Sequence, residues 1–216
     1  AAFRLCWTVL LMSPVVWGKK DVREELLHVN KKEIGLSALS GLFLAIHFVL
    51  WFESLQHTSV ASSTSIVCTE VIWVALGFCL FLKGKLSKKA ILAILITFAG
   101  SLIIAYADSS AGGVHLYGDF LALVAAVAVA VYTLIGRIVR KNVSTNVYTY
   151  VVYTSCAAVL LVTCLVQGYH LFDYGMSAVV VGLLLSIFST ILGHSIFSWC
   201  LKYFSPAFVS ASKLCE

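Results

Sequence analysis

"HFVLWFESLQHTSVASSTSIVCTE", residues 47–70, is echoed at the far end of the chain by "HSIFSWCLKYFSPAFVSASKLCE", residues 194–216. Set side by side without gaps, residue 54 against 200, the two stretches pair Leu55 with Leu201, His57 with Tyr203, Ser59 with Ser205, Ala61 with Ala207 and Glu70 with Glu216. Each breaks an apolar run at a serine, resumes it and arrives at a glutamate. A carboxylate placed in apolar surroundings twice over asks for a reason in the fold.

The surroundings are unusually apolar. Hydrophobic residues make up 61% of the chain and charged residues 12%, whereas soluble domains are nearer half apolar. The apolar residues gather in blocks long enough for spanning helices, which need about 20 residues, and without the two-residue alternation of barrel strands. Eight blocks are legible, roughly 1–17, 36–55, 59–82, 90–107, 118–139, 147–167, 177–200 and 205–216. The expected fold is an all-α membrane protein, a multi-helix bundle.

Lys and Arg are retained in cytoplasmic loops, and here they fall in every second loop. Lys19, Lys20, Arg23, Lys31 and Lys32 follow the first block, Lys83, Lys85, Lys88 and Lys89 the third, Arg137, Arg140 and Lys141 the fifth, and Lys202 the seventh; the other loops have none. Loops 18–35, 83–89, 138–146 and 201–205 are therefore expected on the cytoplasmic side of a plasma membrane, as in a bacterial multi-pass protein. The first block begins without Met or a basic leader and the last holds about 12 residues, too few to span. Eight segments of a ten-helix protein are expected.

The echoing stretches lie five blocks apart. An odd spacing reverses the direction in which the second helix crosses the bilayer, so the halves 1–107 and 118–216 are expected to be inverted five-helix repeats. That architecture recurs in secondary transporters, where one repeat rocks against the other about a central site.

The phrases "WFESLQHTSVASSTSIVCTEVIW", "GDFLALVAAVAVAVYTLIGR" and "LGHSIFSWCLKYFSPAFVSASKLCE" resemble the EamA family of the drug/metabolite transporter superfamily across almost the whole chain. The resemblance implies ten helices in two inverted repeats, cytoplasmic termini and transport of small organic metabolites. It implies a fold more firmly than a cargo, since members carry varied solutes.

Candidate site residues come from the polar groups inside the blocks. Glu70, costly in hydrocarbon as an ion, should face protein or a pathway, with Ser63, Trp73 and Gly77 on its helix face. His47, with Ser40, Trp51 and Ser54 near its face, could exchange a proton near neutrality or serve packing. Ser186, Thr190, His194 and Ser198 recur every fourth residue as a stripe that lines a cavity or bonds helices together. Glu216 is the second-repeat counterpart of Glu70, and Lys213 is a candidate counter-charge. The set reads as a substrate pathway, with none of these residues assigned as catalytic.

Ser37, Gly41 and Ala45, and Ala122, Ala126 and Ala130, suit close helix approach. Trp17, Tyr106, Tyr117, Tyr169 and Tyr203 suit the interfaces. The seven cysteines form no CxxC pair or zinc spacing, and the sequon at Asn142 falls in an inward loop. The expected function is a secondary carrier for a small organic metabolite, amino acid or drug-like solute, working by alternating access and open to proton coupling. There is no phosphate-binding loop for ATP, and no metal, cofactor or nucleic acid is called for. The expected partners are a small-molecule substrate and the lipid bilayer, with a homodimer left open. An intramembrane enzyme is the alternative, but adjacent His194 and Ser195 point about 100° apart on a helix and form no nucleophile and base pair. A channel or a scaffold without carrier activity is the remaining alternative.

Overall fold

The computed structural model describes residues 1–86, 88–110, 115–168 and 171–213. The secondary structure of these residues is helical, with no strand among them. Helices α1 (Ala2–Gly18), α2 (Lys20–His28), α3 (Lys31–His57), α4 (Val60–Cys68), α5 (Glu70–Leu80) and α6 (Lys88–Ser110) come first. They are followed by α7 (Leu116–Val139), α8 (Thr145–Val166), a 3-10 turn (Leu171–Tyr174), α9 (Gly175–Leu185), a π-helical stretch (Ser186–His194), α10 (Ser195–Tyr203) and α11 (Pro206–Ser212). Among the described residues, five stretches are long and apolar enough to cross a membrane: Lys31–His57, Val60–Leu80, Leu116–Val139, Thr145–Val166 and Gly175–Tyr203. The chain is an all-α membrane bundle, as its composition requires.

Short polar side chains set several boundaries. Ser59, Ser144 and Ser205 are extended N-cap residues whose hydroxyls accept the N–H of Ser62, Val147 and Phe208, at 3.0, 3.4 and 3.3 Å. Each satisfies one amide that the helix itself leaves open. Ser59 and Ser205 are equivalent positions in the two echoing stretches, and both start a new helix two residues after the last one ends.

The chain divides into two compact units, each drawing on both halves of the sequence. Residues 1–45 and 135–203 form the first, residues 46–134 and 204–216 the second. In the first unit α1 packs on α8, α9 and the π stretch, burying Leu5, Val16, Tyr148, Val152, Tyr153 and Cys156. Gly41 lies against α8 so closely that a Cβ there would collide with the Val152 carbonyl oxygen and come within 2.8 Å of the Ser155 Cβ. In the second unit α4, α5, α6 and α11 pack together, and its core includes Phe48, Val71, Val74, Ala122, Ala126, Ala130 and Val209. Leu80, Leu165, Val166 and Phe188 stay exposed, apolar surface suited to lipid as solvent.

The loops are more structured than their charge alone suggests. The 18–35 loop holds α2 and the start of α3, because Lys20–His28 has helix-forming residues despite its polarity. Glu25 of α2 accepts the Ser144 N–H at 2.6 Å, and Glu33 accepts the Asn142 side-chain amide at 2.8 Å. Arg137 donates to the carbonyls of Leu201 and Lys202 at the end of α10. Arg140, 2% exposed, donates to the Ser198 carbonyl at 3.0 Å, to the Val143 carbonyl and to the Thr145 hydroxyl. Burial pushes its guanidinium below the ordinary arginine range, opposed by Tyr148, Tyr203 and Glu25. These arginines, expected as topology signals, also close the open carbonyls of a helix end.

Candidate functional site

Glu70 sits where its apolar block breaks. At Thr69 both the backbone N–H and the side-chain hydroxyl donate to the Ile66 carbonyl, at 3.0 and 2.6 Å, and the Ile72 N–H returns to Thr69 at 2.9 Å. Threonine thereby takes the carbonyl that an uninterrupted helix gives to residue 70. Glu70 becomes the first residue of α5 rather than a mid-helix residue, at the end where a helix dipole favours negative charge. It is 7% exposed. Its Oε1 accepts Ser210 Oγ at 2.9 Å and Lys213 Nζ at 2.9 Å, so α11 delivers both a hydroxyl and the counter-charge.

His47 lies at the same level. Ser54 donates to the Trp51 carbonyl at 2.7 Å, so the 2.6 Å contact between Ser54 and Ser63 has Ser63 as donor and pins α3 to α4 beside their turn. His47 and Glu70 each lie seven residues further along their antiparallel helices, about 10 Å from that contact at 1.5 Å per residue. His47 is also ten residues from the end of α3, about 15 Å, or half of a hydrocarbon core roughly 30 Å thick. Its Nδ1 is 3.0 Å from the Ala125 carbonyl oxygen of α7. A carbonyl can only accept, so Nδ1 carries a proton and donates it to Ala125. The ring stacks on Trp51 at 5.6 Å.

The indole Nε1 atoms of Trp51 and Trp73 are buried and have no hydrogen-bond partner among the described residues. The second unit thus gathers His47, Trp51, Ser63, Glu70 and Trp73, joined by Ser54, Ser210 and Lys213. Glu216 lies outside the described residues, as does Tyr169.

The serine and threonine stripe belongs to the first unit. Ser186, Thr190 and Ser198 are buried and His194 is half-buried. A four-residue step overshoots a full turn by about 40° in an α-helix but falls about 33° short at roughly 4.4 residues per π turn. Two π steps and one α step therefore leave Ser186 and Ser198 about 25° apart, where a pure α-helix would spread them by about 120°. The π stretch holds the stripe on one face. Thr8 donates to the Arg4 carbonyl at 2.7 Å, so Ser186 donates to Thr8 across 2.9 Å, and Arg4 Nε donates to Thr190 at 2.6 Å. At Ser186 and Thr190 the stripe bonds the π stretch to α1.

Sequence reading passes over Arg4, Thr8 and Ser210. Arg4 carried a signal, a charge inside an apolar block with a hydroxyl one turn away. Ser210 carried none, because small residues in α11 are equally consistent with packing.

The sequence pattern of the EamA-like transporter family matches residues 1–106 and 116–216. An uncharacterized transporter of Clostridium kluyveri is 22% identical over 209 residues, which cover 93% of this chain and 67% of that protein. Uncharacterized transporter YxxF of Bacillus subtilis strain 168 is 28% identical over 123 residues, covering 56% of this chain and 36% of that protein.

Proposed function

The chain belongs to the EamA-like transporter family, and from that premise we propose that it is a secondary carrier for a small organic solute, with its solute site around Glu70 in the second unit. One observation carries the reading. Glu70, a carboxylate held at a helix break, shares its level near mid-membrane with His47 and is answered by Ser210 in α11 and by Lys213 at its end. Broken helices that present charged groups at the midplane are how secondary transporters build binding sites, and intramembrane ionisable residues mark solute and proton paths.

The carrier works by alternating access without ATP, each inverted repeat supplying one wall of the pathway. Matched serine caps before α4 and α11 support that symmetry. His47 takes or releases a proton as solute passes, coupling transport to a proton gradient. The protein lies in a bacterial plasma membrane with loops 18–35, 83–89, 138–146 and 201–205 inside. The family and the names of the relatives favour carriage over catalysis.

The test is solute uptake into proteoliposomes with an imposed pH gradient, screened over amino acids, nucleobases, polyamines and cationic drugs. Uptake of a transported solute should need no nucleotide and should be lost in a Glu70→Ala, His47→Ala double variant. Unchanged flux in that variant would remove the site assignment.

A further inference from the structure

The Glu70 site has a donor surplus that narrows the class of solute. Its carboxylate is already matched by the Lys213 ammonium and the Ser210 hydroxyl, both at 2.9 Å on Oε1. The indole N–H groups of Trp51 and Trp73 are buried with no acceptor among the described residues. Counted from the Ser54–Ser63 contact, Trp51 lies about 6 Å before the Glu70 level and Trp73 about 4.5 Å beyond it, at 1.5 Å per residue. By residue level, the two donors fall on either side of Glu70, one on α3 and one on α5.

From this arrangement we propose that the site selects an uncharged solute bearing at least two hydrogen-bond acceptors, which the Trp51 and Trp73 indoles receive, and discriminates against organic cations. The inference rests on the carrier reading above and names its substrate class. A cation would have to displace Lys213, an ammonium tethered to the same unit and present at high effective concentration. It would bring no acceptor to the two indole N–H groups. An anion would add uncompensated charge beside an ion pair that is already neutral, in surroundings where unpaired charge is expensive. A neutral solute with carbonyl or ring-nitrogen acceptors relieves two unsatisfied buried donors, each otherwise as costly as a lost hydrogen bond. Glu70 then acts as a positioning residue that holds Lys213 in place.

The experiment is thermal-shift titration of the purified protein with uracil and nicotinamide as neutral acceptors, spermidine and tetraphenylphosphonium as cations, and benzoate as an anion. Ligands that bind only the folded state raise its melting point. Uracil or nicotinamide should stabilise the protein and the charged probes should not. Trp51→Phe and Trp73→Phe should each weaken the dissociation constant about tenfold, the effect of one hydrogen bond. Because phenylalanine also changes packing, the same positions are to be filled with β-(3-benzothienyl)alanine, which keeps the indole shape without the N–H; the same loss is expected. Stabilisation by the cations, affinity retained in the isosteric variants, or no shift with any of the five probes would overturn the inference. Flux in the Glu70 and His47 variant judges the carrier reading separately.

Discussion

Removing the Lys213 ammonium while leaving Glu70 in place should destabilise the protein far more than removing both charges. The side chains are 16% and 10% exposed and 2.9 Å apart, so water screens the pair little. Breaking a buried pair by deleting one partner costs about 3–5 kcal/mol, because the other charge stays buried and uncompensated. Lys213→Met strands a carboxylate on a short stem at 7% exposure and should lose roughly that much. Glu70→Gln keeps a neutral side-chain carbonyl that still accepts from Lys213 and Ser210, so its cost should be nearer 1–2 kcal/mol. The Glu70→Gln, Lys213→Met double variant keeps the shape and removes both charges, and its loss should stay close to that of Glu70→Gln alone. The assay is thermal unfolding of the four proteins in one detergent. At about 2–4 °C per kcal/mol for this chain length, Lys213→Met should melt about 10 °C below wild type and the double variant should recover most of that. Strictly additive losses would refute the argument, since they would mean that the two charges do not interact in the folded protein.

Gly41→Ala should lower the melting temperature by an amount equivalent to about 1–3 kcal/mol, because the new methyl meets the Val152 carbonyl and the Ser155 side chain in a packed interface. Gly35→Ala in the same helix meets nothing within 4 Å and should hold or raise it, alanine being the better helix former; equal behaviour of the two would deny the close approach. Arg140→Met should cost about 3 kcal/mol or more, and Arg140→Lys should fail to restore it, since one ammonium cannot match the planar fork that reaches Ser198, Val143 and Thr145. A lysine variant as stable as wild type would show that charge alone matters there.

The class of fold was legible because its signals are long. Blocks of about 20 apolar residues cannot be arranged in many ways, and the lysine and arginine rhythm supports the same segment count. The breaks were harder to see. Nothing in "IVCTEVIW" marks a helix end, and threonine competes for a carbonyl only once its rotamer is known. The π stretch is likewise silent in composition, although the four-residue spacing of Ser186, Thr190, His194 and Ser198 drifts too far for one α-helical face and could have raised the question. Lys213 could be named as a counter-charge from its place on the short last segment, but its pairing with Glu70 joins residues 143 apart in the chain, which no local pattern reveals. The unpartnered indoles are a property of packing alone, invisible in any window of sequence.

The nine-residue π stretch also makes α9 and α10 a swivel. Where an α turn gives way to a π turn, one amide simply trades its i−4 carbonyl for the i−5 one. Each residue by which that boundary moves rotates the two ends of the span against each other by about 18°, the difference in twist between the helices. Such a joint can turn within hydrocarbon without exposing a bare amide, a requirement that a hinge made from an open loop could not meet.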